Sequence, residues 1–179
     1  NSNNLLHIYG NCHNALHIFV GLRMITINIA CVGTIKEQYF KDAIQEYSKR
    51  IGAFAKINIF EVKESEYFLS DAEIEIAKQK EAERLSKYKK GYCIALEING
   101  KQFDSVEFSK HINNLALQGN SNITFFIGGS YGLDKQFSDS MNEKLSFSKF
   151  TFPHQLMRVV LVEQIYRALT IINNKTYHK

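Results

Sequence analysis

From Met24 onward the sequence predicts a single-domain α/β fold built on a parallel sheet. Three observations carry that expectation. Strand-like and helix-like apolar patterns alternate along the chain. The short run Ile123–Ile127 (ITFFI) is apolar without interruption, as in a central parallel strand buried on both faces. The composition, 45% hydrophobic, 12% aromatic and 22% charged, is globular, and 179 residues can bury a sizeable core without staples.

The elements follow in order. Met24–Gly33 alternates Ile25, Ile27 and Ile29 and predicts a first strand. Lys36–Ile51 has helical spacing in Tyr39, Phe40, Ala43, Ile44 and Tyr47, with Gly52 as its breaker. Ile57, Ile59 and Val62 predict a second strand. Ser70 with Glu73 forms a capping box and opens a charged surface helix to about Tyr88. Tyr92–Ile98 is the third strand, closed by the turn residues Asn99-Gly100. Ser105–Leu117 is helical, and Ile123–Ile127 is the fourth strand. Gly128-Gly129-Ser130-Tyr131-Gly132 and a short helix from Asp134 come next. Leu145–Phe152 is expected as the last strand. Pro153 is placed in the first turn of a final helix running to Ile172, and a polar tail ends the chain.

Composition excludes several classes. Cys12, Cys31 and Cys93 contain no C-x-x-C pair, which argues against a disulfide framework or a cysteine zinc site. Leu156–Ile172 carries Arg158, Glu163 and Arg167 and is not a membrane span. Residues 1–23 hold no acid, and polar residues interrupt any signal-peptide core. They read as a cloning or translation extension outside the domain at 24–179, although His13 and His17 stand four apart, as metal ligands on a helix can. No metal is expected, and the expected location is the cytoplasm. The net charge of +4 is uneven. From Lys144 to Lys179 six Lys or Arg face the single acid Glu163. A solvated helix face explains most such runs, and a phosphate-binding surface is the other reading.

Two segments carry chemistry. The glycine loop 128–132 follows a buried strand, where open α/β sheets bind ligands. Its G-G-x-x-G spacing is not the dinucleotide fingerprint, which disfavours a nicotinamide-dependent oxidoreductase. Plain turn chemistry would also explain it. The second segment, Phe147–His154, crowds aromatic and polar groups at a strand-to-helix junction. His154 and Arg158 share a helix face near the N-terminus, where the helix dipole disfavours cations, so a functional role is expected of both as exposed groups. The final helix is apolar almost all round, which predicts burial against a second subunit. Glu163 and Arg167 read as a structural i, i+4 pair; for the polar and aromatic Tyr177-His178-Lys179 the plain alternative to a functional role is a frayed tail.

The chain resembles the RlmH family of SPOUT (α/β-knot) methyltransferases. The resemblance rests on Ala30-Cys31-Val32-Gly33, Leu96–Lys101, Phe126–Gly132, Leu145–Ser148, Thr151–His154, Arg158-Val159, Glu163–Ala168 and Tyr177–Lys179, in that order and spacing from Met24 to Lys179. It implies a C-terminal trefoil knot, a homodimer, and S-adenosyl-L-methionine as cofactor. It implies methylation of N3 of a pseudouridine in a stem-loop of 23S rRNA, on the assembled ribosome. By similarity, the cofactor contacts fall at Leu96, Gly128, Phe147, Ser148, Lys149, Phe150, Thr151 and Phe152. His154 and His178 are candidates for the base that takes the N3 proton, and Arg158 for holding a phosphate or the charge developing on a uracil oxygen. Lys149, Arg158, Lys175, His178 and Lys179 are candidate phosphate contacts. The rival expectation is a non-enzymatic dimeric ribosome- or RNA-binding module whose glycine loop is only structural.

Overall fold

Apolar alternation decides the layering. In β1 (Thr26–Val32), Ile27, Ile29 and Cys31 point to one face of the sheet and Ala30 and Val32 to the other, and all five are buried. A strand covered on both faces belongs in the interior of a sheet. The computed structural model describes residues 24–66 and 70–178, so the extension at 1–23, with Cys12, His13 and His17, lies outside the described residues. The elements after β1 are α1 (Gln38–Ile51), β2 (Lys56–Val62), α2 (Asp71–Ser86), β3 (Tyr92–Gln102) and α3 (Ser105–Leu117). They continue as β4 (Asn122–Ile127), α4 (Lys135–Asp139), β5 (Glu143–Ser146) and α5 (His154–Ile172).

All five strands pair in parallel, in the order β2-β1-β4-β3-β5. The ITFFI run is β4, the centre of the sheet. Phe125 packs beneath α3 against Phe108, and Phe126 faces α4 and meets Phe137 edge-on. Helices α1, α3 and α5 cover one face through Ile51, Phe108, Ile112, Leu161 and Ile165. Helices α2 and α4 cover the other through Leu85 and Phe137. Cys31 and Cys93 are free and buried, and burial pushes the Cys31 thiol up to about 12. Among the described residues no helix is long and apolar enough to cross a membrane.

Both capping boxes are local chemistry. Ser70 accepts from the Glu73 amide as the sequence predicts. Asp104 accepts from the Glu107 amide at 2.7 Å while Glu107 accepts from the Asp104 amide at 2.9 Å, a second box of the same kind. Asp104→Ala should therefore cost about 1 kcal/mol, read as a lower urea midpoint with an unchanged slope.

Three elements differ from expectation. β3 runs on to Gln102 instead of turning at Asn99-Gly100, because Leu96 and Lys101 both pair with Leu145 and the residues between them bulge out. β5 ends at Ser146. Beyond it Ser146 Oγ donates to the Ser148 carbonyl and Ser148 Oγ accepts from the Phe150 amide, local bonds that replace the ladder. Pro153 is the N-cap of α5 and not in its first turn. One face of α5 is buried by Leu161, Val162, Ile165, Ala168 and Leu169, while Leu156, Val159, Val160 and Ile171 remain half-buried.

Candidate functional site

The carboxyl ends of β3, β4 and β5 surround a cleft of about 440 Å³. The bulge of β3 supplies one wall through Leu96, Glu97, Ile98 and Asn99. β4 supplies Ile127 and the glycine loop. The segment after β5 supplies Phe147, Ser148, Phe150, Thr151 and Phe152, and α5 adds His154 and Met157. Of the residues expected around a cofactor, Leu96, Gly128, Phe147, Ser148, Phe150, Thr151 and Phe152 meet here. Lys149 is exposed and does not line the cleft.

The glycine loop is a tight turn, closed by the Gly132 amide donating to the Gly129 carbonyl at 3.0 Å. Gly132 has φ 78°, which favours glycine. A Cβ on Gly128 would stand 2.3 Å from the Gly132 carbonyl carbon, so the glycine is required by the loop's own closure before any ligand arrives.

His154 lines the cleft at the start of α5. Burial holds its imidazole below the ordinary histidine value. The charges of Arg158 and Lys36 push the same way and Glu64 opposes them. The neutral form of the ring, which can accept a proton, is thereby favoured.

Arg158 differs from expectation. The expected exposed cation is 1% exposed. Its Nη1 donates to Glu61 Oε1 at 2.8 Å, and its Nη2 donates to the Val32 carbonyl at 2.5 Å and the Gly33 carbonyl at 2.8 Å. The buried Nε has no partner among the described residues. A cation near a helix N-terminus is tolerated here because a carboxylate and two carbonyls receive it, so the guanidinium ties α5 to the ends of β1 and β2 and is not presented to a phosphate.

His178 is not brought to His154. Its Nδ1 lies 3.4 Å from Arg167 Nη1, and thirteen residues of helix, about 20 Å, separate Arg167 from His154. Tyr177 and His178 are anchored, not frayed, and Lys179 lies outside the described residues. Tyr177 donates to Glu163 Oε1 at 3.1 Å, Arg167 lies 4.7 Å over the Tyr177 ring, and Tyr166 meets that ring edge-on at 4.7 Å. The Glu163–Arg167 pair expected as merely structural belongs to this group, with Nε donating at 3.0 Å.

Two further acids, Glu64 and Glu81, stand behind the glycine turn. Glu64 Oε1 accepts from the Ser130 amide at 3.2 Å and the Ser130 hydroxyl at 2.7 Å. Burial pulls its carboxyl up, but the two Ser130 bonds and the charges of His154 and Lys36 outweigh it, and the net direction is down. Glu81 is buried on the inward stripe of α2 between Ala77 and Leu85 and accepts from the Ser65 amide at 2.7 Å. Burial raises it above the usual carboxylate range. Among the described residues no three His, Cys, Asp or Glu side chains are placed to hold a metal ion.

Three loops from neighbouring parallel strands around a cleft of this size form the arrangement in which open α/β folds hold a small cofactor. The chain belongs to the SPOUT methyltransferase family, whose model, described as "Predicted SPOUT methyltransferase", matches residues 25–178. Its relatives narrow the class. It is 54% identical over 159 residues to Ribosomal RNA large subunit methyltransferase H of Finegoldia magna, covering 87% of this chain and 100% of that one. It is 51% identical over 158 residues to the protein of that name from Ruminiclostridium cellulolyticum, covering 86% and 99%. Among solved structures, a probable methylase family protein from Haemophilus influenzae Rd KW20 aligns with a TM-score of 0.50 at 11% identity, covering 86% of this chain and 70% of that one, a likeness of fold alone.

Proposed function

We propose that the protein is an S-adenosyl-L-methionine-dependent methyltransferase acting on N3 of a pseudouridine in 23S rRNA, as a cytoplasmic homodimer on the assembled ribosome. The observation that carries the reading is the near full-length likeness to relatives named as methyltransferases of large-subunit rRNA. The cleft supports the cofactor. It is large enough, its Leu96, Phe147 and Phe152 side chains suit an apolar thioether arm and a base, and the glycine turn presents bare backbone. The half-buried Leu156, Val159, Val160 and Ile171 of α5 support the dimer. The C-terminal trefoil knot is part of the same reading, supported by the family match.

When bound, S-adenosyl-L-methionine supplies a methyl group on a cationic sulfonium, so donor activation is not asked of the protein. The residues of the cleft have to hold donor and nucleophile in line, which can account for much of the barrier. His154 would take the N3 proton as the N–C bond forms, and its depressed pKa keeps the accepting form populated. Lys149 and Lys175 are exposed in the basic C-terminal part and are free to meet phosphates.

The test is methyl transfer from labelled cofactor to whole ribosomes, free subunits and naked rRNA, with calorimetry for the cofactor. Transfer should be seen with whole ribosomes, and its acid limb should have a midpoint below 6.5, the ordinary histidine value. Protonation removes the base, so activity falls as pH falls through that midpoint. A protein that binds ribosomes but not the cofactor would instead be a non-enzymatic module.

A further inference from the structure

Glu64 sits in a slot between two glycines. A Cβ on Gly129 would stand 3.2 Å from its Oε1, and a Cβ on Gly33 would stand 3.3 Å from its Oε2. That same point at Gly33 is 3.4 Å from His154 Nε2 and 3.8 Å from Arg158 Nη2. Bare backbone at Gly33 and Gly129 thus lets one carboxylate reach Ser130 in the cofactor turn with one oxygen, while the other stands beside Gly33, as the His154 imidazole does, close enough for its charge to act on the ring.

We infer that Glu64 is a positioning residue for methyl transfer, a single carboxylate that holds the cofactor turn through Ser130 and sets the charge environment of His154. The inference rests on the proposed methyl transfer and on His154 as its base. The two Ser130 bonds are charge-assisted, the stronger kind. The groups around the pair come from every neighbouring element: Lys36 before α1, Glu61 at the end of β2, Glu81 and Arg84 on α2, and Arg158 on α5. Of the charges acting on His154, Glu64 is the one that raises its pKa; burial, Arg158 and Lys36 all lower it. Glu64 therefore limits how far the base is depressed.

Glu64→Gln keeps an oxygen for Ser130 and removes the charge. It should leave cofactor affinity within about threefold of wild type, shift the NMR titration of His154 to lower pH, and move the acid limb of methyl transfer with it. The signs agree, because losing an anion disfavours the imidazolium. Glu64→Ala removes the acceptor as well and should weaken cofactor binding about tenfold by calorimetry. If the alanine variant does not fold, Ser130→Ala tests the same bond and should weaken binding about threefold. A purely structural glutamate would not move the His154 titration in the glutamine variant. An active wild type whose Glu64→Gln form titrates at the same pH overturns the inference, as does unchanged cofactor affinity in both alanine variants. A wild-type protein that transfers no methyl group overturns the functional reading and the role of Glu64 with it.

Discussion

Valine at position 128 should abolish cofactor binding through the loop's own backbone. Its Cβ would stand 2.3 Å from the Gly132 carbonyl carbon, 2.6 Å from the Leu133 nitrogen and 2.7 Å from the Gly132 oxygen. These are main-chain atoms, which cannot swing aside as a flexible side chain can. The turn has to open, and the same turn forms one wall of the cleft and carries Ser130. We expect Gly128→Val to weaken cofactor binding at least about a hundredfold by calorimetry, equivalent to about 2.7 kcal/mol, with an overpacking cost of about 1–3 kcal/mol in stability. Gly132→Ala is the control. Its Cβ meets nothing within 4 Å, so only the φ of 78° opposes it, at about 1 kcal/mol. Wild-type affinity in a folded Gly128→Val protein would remove this turn from the cofactor site.

The second large effect is expected at Arg158. Arg158→Leu strips donors from Glu61 and from the Val32 and Gly33 carbonyls, and the loss of one partner from a buried ion pair is costly. Glu61 retains 35% side-chain exposure, so water can take over part of its solvation, and we expect about 3 kcal/mol. In a chain of this size that corresponds to a fall of about 6–12 °C in Tm. Arg158→Lys offers a point charge where a fork is needed and should recover only part of the loss. Thermal unfolding at matched cofactor concentration decides the matter. An unshifted Tm with lost methyl transfer would mean that the guanidinium serves the substrate after all.

The sheet was legible in the sequence because its signals are local. Alternation in β1, the unbroken run in β4 and the Ser70 box each report on residues a few places apart. Signals failed where distant residues decide. β5 reads as a longer strand because Phe147, Phe150 and Phe152 continue its apolar spacing, yet all three line the cleft and Phe147 also packs beside Phe108. Arg158 looks like an exposed cation because its acceptors lie 97 to 126 residues earlier. Glu64 has no local mark, since its partner Ser130 and the His154 ring its charge acts on come from later segments. Glu81 did carry one: an acid on the stripe Ala77, Glu81, Leu85, where burial is expected. The strands that converge on the cleft could be anticipated, whereas the carboxylate behind the turn could not.

The tie between Arg158 and the end of β1 also bears on time. β1 pairs with β4 across 96 residues, and α5, the last helix, reaches back to Val32 and Gly33 across 126 and 125. Folding dominated by such long loops is slow, because their closure must occur before the contacts can stabilise it. On a growing polypeptide the early strands would emerge with Val32 and Gly33 still lacking the guanidinium. The cleft has the same dependence, drawing its last wall from residues 147–157. A nascent chain short of this helix would have all five strands and an unfinished cleft, whose last wall arrives only with the final stretch of synthesis.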